Sequence, residues 1–265
     1  MFRPFAGNPA GVVLLGPEGF PDESWMQQVA AEVNQAETAF AHPLPPGGEA
    51  DWALRWFTPA TEVNLCGHAT LATAHILHST GAATGLTRFA TRSGVLTAEV
   101  AGDGRITLDF PTAPLTAHPA TEQAGAALGV TVLSAHDTGP NVGDLLVEVA
   151  DAKTVRDLAP DLPAIARLPH RGLIVTAPAE DSDGPYDFVS RFFGPAVGVD
   201  EDPVTGSAHT ALAPFWSARF GRDELTGLQV SARTGLVRTV LRGDRVLLVG
   251  RAVTVIDGEL LTSTG

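Results

Sequence analysis

The chain has 265 residues, 44% of them hydrophobic, one cysteine and a formal net charge of −13. That length supports one large or two medium domains, and the acidic balance opposes contact with phosphate backbones, which takes clustered Lys and Arg, so no nucleic-acid partner is expected. No stretch approaches the ~20 apolar residues of a bilayer span, Met1–Phe5 lack the apolar core of a secretory leader, and the lone Cys66 excludes an internal disulfide and any multi-cysteine metal site, so a cytoplasmic protein without a membrane partner is expected.

In chain order, Val12–Leu15 follows a Gly-Asn-Pro turn and reads as a strand. Pro21–Val33 has helical spacing, with Trp25, Val29, Ala30 and Val33 on one stripe and Asp22 as N-cap. Thr38–Ala41 reads as the next strand, 43–50 as a turn-rich loop, and Trp52–Phe57 as an alternating strand. Gly67–Thr80 is an Ala/Leu/His-rich helix ended by Gly81; its apolar residues wrap most of its circumference, which predicts burial. Strands follow at 86–91, 94–100 and 105–110. Three prolines between Pro111 and Pro119 mark a connector between halves. The second half predicts strands near 130–136, 144–150, 172–176 and 186–193, a short helix near 154–158, and a helix over 206–220. Strands near 227–232, 235–241, 245–249 and 252–257 complete it.

The chain carries an internal repeat. Arg55-Trp56-Phe57-Thr58-Pro59-Ala60-Thr61-Glu62 and the following Val63–Ala74 match Arg191-Phe192-Phe193-Gly194-Pro195 through Glu201, and then Asp202–Ala213. Thr91–Leu96 matches Ala232–Val237, and Gly102–Leu108 matches Gly243–Leu248. Asn8–Val13 against Asn141–Leu146 is fainter. So long a period does not fit a solenoid; it fits duplication into two pseudo-symmetric lobes, 1–112 and 113–265, with a final strand that can cross back to the first lobe.

Gly67-His68 and Gly206-Ser207 open the two matched helices. A helix N-terminus offers unpaired N–H groups and about half a positive charge, which suits a carboxylate or a developing oxyanion, and glycine lets a ligand approach the backbone. Ordinary capping with small residues explains one such start; two matched starts favour a site. Glu37 lies where a helix passes into a strand, flanked by Ala36, Ala39 and Phe40. Partial desolvation there would raise its pKa and make it a usable acid or base, although a solvated glutamate at a helix end fits the spacing equally. Asp202 precedes the second helix and can be an N-cap; its counterpart in the repeat is Val63. His68 can shuttle a proton or bond only backbone, and His209 reads as structural. Cys66 aligns with Thr205, so a racemase with two opposed thiols is excluded, and Cys66 reads as a small buried residue. His75 and His78 share a helix face without a carboxylate partner, and no phosphate loop, zinc spacing or Ser-His-Asp order is present; no metal is expected.

These blocks together resemble the PhzF family of phenazine-biosynthesis-like isomerases, which share the diaminopimelate epimerase fold. The resembling residues are Gly7-Asn8-Pro9-Ala10, Glu37-Thr38-Ala39-Phe40, Arg55–Pro59, Glu62–Ala72 and Glu201–His209, in the family's order. The resemblance implies an α+β fold of two lobes, each a mostly antiparallel β-barrel around a central helix, with the active site between them. It implies cofactor-free proton transfer and a homodimer. Glu37 would be the principal acid/base; His68, Asp202 and Ser207 would surround the substrate, with Asn8, Gly67 and Gly206 binding it. The family usually has a longer first strand before Gly-Asn-Pro than Met1–Ala6 provides, which would weaken the first barrel's edge. Asn64 replaces a commoner Asp, and Thr234 a frequent Gly.

The function expected is an isomerase shifting a proton and a double bond on a small carboxylate-bearing metabolite, as in dihydro-hydroxyanthranilate isomerisation. An epimerase using Glu37 and Asp202, or a non-catalytic binder of small carboxylates, are the alternatives. The loops 43–50, 137–143 and 178–185 are expected to shape the cleft.

Overall fold

The computed structural model describes residues 4–180 and 184–262. Met1–Arg3 of the opening segment, residues 181–183 of the loop at 178–185 and the last three residues of the second predicted lobe lie outside the described residues. Two compact units result: one is built from Pro9–Asp109 with the chain from Val249, the other from Phe110–Leu248 with Ala6–Asn8. Among the described residues no helix is long and apolar enough to cross a membrane.

In the first unit the strands are β1 (Ala10–Leu14), β2 (Glu37–Pro43), β3 (Trp52–Phe57), β4 (Glu62–Val63), β5 (Leu86–Thr91), β6 (Gly94–Val100) and β7 (Ile106–Pro111); the helices are α1 (Glu23–Val33) and α2 (Gly67–Ser79). The sheet runs β1-β2-β3-β5-β6-β7, with β4 paired to β3, and α2 touches β1, β2 and β6. Asp22 caps α1 through the Ser24 N–H (2.8 Å), and Asn34 ends it in the left-handed conformation that Asn tolerates (φ 49°). Met26, Val29 and Ala30 of α1 bury against Phe40 and Phe57, with Trp25 and Val33 packed at the margin. Helix α2 is less enclosed than its composition predicts. Ala69, Thr70, Thr73, Ala74 and Leu77 form one buried stripe, while Leu71, Ala72, His75 and Ile76 are half-buried.

The second unit holds β8 (Thr116–Ala117), β9 (Val132–Asp137), β10 (Asp144–Val149), β11 (Gly172–Pro178), β12 (Phe188–Gly194), β13 (Val199–Asp202), β14 (Glu224–Gln229), β15 (Gly235–Arg242) and β16 (Arg245–Gly250). Its helices are α3 (Thr121–Leu128), α4 (Ala152–Asp157), α5 (Leu162–Ala166) and α6 (Gly206–Phe220). The order is β16-β15-β14-β12-β11-β10-β9-β8, with β13 on β12. Helices cover both sheet faces: Leu145, Val147, Leu173 and Val175 pack with α3, α4 and α5, whereas Leu146, Ile174, Phe188 and Phe192 pack with α6. Two-sided burial is why these strands read as continuous apolar runs. Pro214 sits inside α6 and cannot donate to the Thr210 carbonyl; the Ala113 N–H takes that acceptor instead (3.1 Å).

The pairing pattern occurs twice. In the first unit β1 and β2 are parallel, β2 and β3 antiparallel, β3 and β5 parallel, and β5 and β6 antiparallel. In the second, β10/β11, β11/β12, β12/β14 and β14/β15 repeat that sequence. The registers Trp56↔Val63 and Phe192↔Asp202 make Val63 and Asp202 equivalent. The repeated Arg and Glu are a clamp. Arg55 Nε donates to Glu62 (2.7 Å) and Arg191 Nε to Glu201 (2.7 Å), and each guanidinium lies over the Phe two residues on, Phe57 or Phe193. Each clamp ties a strand to the turn that delivers the following helix.

Two expectations fail. Residues 252–257 form no strand: Val253, Val255 and Ile256 are exposed (45%, 55% and 88%), because alternation without a ladder partner does not make a strand. Thr254 is tied instead to His75 of α2 (3.1 Å). The second half also has more than one short helix beside α6, since α3 and α5 join α4.

Candidate active site

The start of α2 gathers three of the chain's reactive side chains. Glu37 is the first residue of β2, His68 the second of α2, and Cys66 the N-cap. Glu37 Oε2 lies 3.2 Å from His68 Nε2, with the two side chains 20% and 16% exposed. His68 Nδ1 lies 3.6 Å from the Cys66 sulfur. Cys66 has an extended backbone; its sulfur faces His68 and also meets the Ala69 N–H, which leaves the Gly67 and His68 N–H groups without a side-chain cap. Burial pushes the Cys66 thiol up, so it stays protonated. Burial opposes charge on His68, but the Cys66 sulfur and the Glu37 carboxylate outweigh it and hold the imidazole well above its ordinary 6.5. Glu37 is the partner that secures this charge, because a protonated thiol offers only a dipole.

The same three groups bring O, N and S donor atoms within 4.8 Å of one another. The set suits a borderline-soft divalent ion, which would occupy the atoms a proton transfer needs. His75 and His78 do not join it.

At the start of α6 the chemistry differs. Asp202 is not the N-cap; Thr205 is, again without a side-chain cap. Both Asp202 oxygens are engaged, Oδ1 by Asn8 Nδ2 (2.7 Å) and Oδ2 by the Thr205 hydroxyl (2.5 Å). Gln229 braces the turn, donating to the Asp202 carbonyl (2.7 Å) and accepting from the Thr205 N–H (2.9 Å). Asn8 also donates to the Val204 carbonyl (3.0 Å). Ser207, equivalent to His68, accepts from Arg171 Nη2 (3.0 Å). His209 is wholly buried; its Nδ1–H donates to the Thr205 carbonyl (2.8 Å), and burial lowers its pKa to about 4, so it is neutral.

The registers Ala10↔Glu37 and Asp144↔Gly172 make Gly172 the second-unit equivalent of Glu37. A Cβ at Gly172 would stand 2.3 Å from the far end of the Phe192 ring and 3.1 Å from the Phe193 carbonyl oxygen, so a side chain there would have to displace the ring. Arg171 and Asp144, unanticipated from sequence, surround that position. Asp144 falls within the weak match of Asn8–Val13 to Asn141–Leu146, opposite Gly11, and nothing in the sequence singles out Arg171. The surface hollows over Leu44–Ala50 and Asp151–Ala159 contain none of these residues.

Residues 2–258 match the family described as PhzC-PhzF, phenazine biosynthesis-like protein. The chain belongs to that family. An uncharacterized isomerase of Halalkalibacterium halodurans is 44% identical, covering 97% of this chain and 94% of its own. The human phenazine biosynthesis-like domain-containing protein is 39% identical over 97% and 95%. The crystal structure of a PhzF-family protein from Enterococcus faecalis superposes with a TM-score of 0.84 at 37% identity, covering 94% and 91%. A methylitaconate-delta-isomerase shares the fold alone (TM-score 0.53, 13% identity). This membership in the PhzC-PhzF family, with relatives named isomerases, supports the same class for this chain.

Proposed function

We propose that the protein is a cofactor-independent isomerase that moves a proton on a small carboxylate-bearing metabolite, with Glu37 as the acid/base. The observation that carries this reading is the Glu37–His68 contact of 3.2 Å at an uncapped helix start. Glu37 takes a proton from carbon: the C–H bond breaks, its electron pair moves into the adjacent conjugated system, and a carboxyl O–H forms. The same carboxyl returns the proton to another carbon of that system as the double bond shifts, so nothing is oxidised or reduced. His68 holds Glu37 and offers positive charge to the enolate-like intermediate, and the Gly67 and His68 N–H groups add fixed dipoles. Asn8, Asp202, Gly206 and Ser207 are assigned to holding the substrate.

A single base is favoured over an epimerase pair. The second-unit counterpart of Glu37 is Gly172, which carries no acid or base, and both Asp202 oxygens are engaged by neighbours. The test is deuterium incorporation in deuterated water, followed by mass spectrometry over a panel of small carboxylates that includes a dihydro-hydroxyanthranilate. Wild type should exchange one carbon-bound hydrogen on at least one of them. Glu37→Gln should lose about 1,000-fold or more with unchanged circular dichroism. A fully active Gln variant overturns the mechanism.

A further inference from the structure

We infer that Arg171 is a positioning residue: it fixes the Ser207 hydroxyl as a donor at the start of α6 and thereby selects an anionic, carboxylate-bearing group there. The inference rests on the isomerase reading for the identity of the substrate, but not for its geometry.

Arg171 is locked. Its Nε and Nη2 donate to the two oxygens of Asp144 (3.0 and 2.7 Å), whose side chain is 0% exposed. Its backbone N–H donates to the Gly143 carbonyl (2.7 Å), and its guanidinium lies over the Phe192 ring, 5.3 Å from the centroid. A buried carboxylate left without its cation is strongly destabilising, so the guanidinium is not free to swing away. Its second Nη2 hydrogen reaches Ser207 Oγ (3.0 Å). A hydroxyl that accepts from a cation has its own hydrogen left to give, and the Ser207 O–H donates to nothing among the described residues. Gly206 and Ser207 add first-turn N–H groups that no side chain caps. The guanidinium does not titrate in the accessible range. The first unit has Ala36 and Glu37 at the equivalent of Arg171 and Gly172, so the carboxylate there has no counterpart here, where an Arg171–Asp144 ion pair stands instead. Asp144 balances the Arg171 charge, so a ligand meets a set of donors, the Ser207 O–H and the first-turn N–H groups, which the two accepting oxygens of a carboxylate satisfy more fully than a neutral amide does.

The test uses 15N-labelled protein titrated with sodium benzoate and, separately, benzamide, reading the Gly206 and Ser207 amide signals. Wild type should show saturable shifts with benzoate and none with benzamide. Removal of Arg171 alone risks unfolding around Asp144, so the deciding variant is the double Asp144→Asn/Arg171→Gln, which removes both charges together. It should weaken benzoate at least about tenfold, and Arg171→Lys should recover part of the loss. Adding Ser207→Ala to the double variant should cost little more, because the two act through one hydroxyl; independent structural effects would add instead. An unchanged benzoate affinity in the double variant, equal response to benzamide, no response of wild type to either, or full additivity with Ser207→Ala would each overturn the inference. Glu37→Gln should keep benzoate binding while losing deuterium exchange, so failure of the isomerase reading and failure of this one give different results.

Discussion

At the start of α2 stand a carboxylate, an imidazole and a thiol; at the start of α6 stand a guanidinium, a hydroxyl and two carboxylates already engaged by neighbours. The strand pairing that delivers these groups is the same in both units, down to the parallel and antiparallel order and the Arg–Glu clamp beside each helix. The frame is repeated and the side chains it carries are not. What enforces the difference is local: the Phe192 ring occupies the space a side chain at Gly172 would need, and a fixed cation stands beside it. Pseudo-symmetry of a backbone is therefore no guide to symmetry of the side chains it presents.

The largest expected effect that sharpens this contrast is on activity. Glu37→Gln should lower deuterium exchange by about 1,000-fold or more, whereas Asp202→Asn, which can keep its contacts with Thr205 and Asn8 in part, should lower it far less. A comparable loss from both would restore the two-base reading. Next come the clamps. Arg55→Ala leaves Glu62 (side chain 8% exposed) with Arg92 as its remaining cation (2.7 Å), whereas Arg191→Ala takes the ion-pair partner of Glu201 (26% exposed) and a donor from the Val155 and Leu158 carbonyls. Each should lower stability in urea unfolding by about 1–3 kcal/mol, Arg191→Ala by more, and no loss from either would show that the Arg–Glu pair does not brace the turn. Gly172→Ala drives a methyl into the Phe192 ring and should cost about 1–3 kcal/mol.

A smaller effect tests the third repeat block. Thr234 adopts a left-handed backbone (φ 56°); its counterpart in the repeat is Ser93, and in the first unit the positive φ falls one residue later, at Gly94 (φ 96°). A β-branched residue is strained there, so Thr234→Gly should stabilise the protein by about 1 kcal/mol. The smallest effect is pH-linked. The His68 pKa is raised in the folded state, so its stabilisation is complete below 6.5 and disappears as pH rises through the folded value. The stability gap between wild type and His68→Gln should narrow from pH 6 to pH 9; a constant gap would mean that the imidazole is neutral throughout.

Much of this was legible in the sequence. Strand β3 and helix α6 follow their predicted bounds because their apolar spacing and their closing signals, the Thr58-Pro59 turn and Gly221, agree. Helix α3 was missed because it is short, starts at Ala120 without a capping side chain and contains Gly125, and α5 because five residues with a proline carry almost no period. The 252–257 segment misled because alternation describes a side chain's preference, and a strand also needs a neighbour. Glu37, His68 and the glycines stand out by motif. Arg171 and Asp144 do not, since their meaning lies in contacts made 27 and 36 residues away, which no local pattern records.

Pro214 carries a consequence for how the second unit assembles. The Thr210 carbonyl it orphans is satisfied by Ala113, about a hundred residues earlier in the chain. Helix α6 is thus not a self-sufficient early structure. As an isolated peptide it should be interrupted at mid-length, and in the protein it reaches its final form only after the connector has docked. Folding of this unit should be paced by a long loop closure rather than by local helix growth.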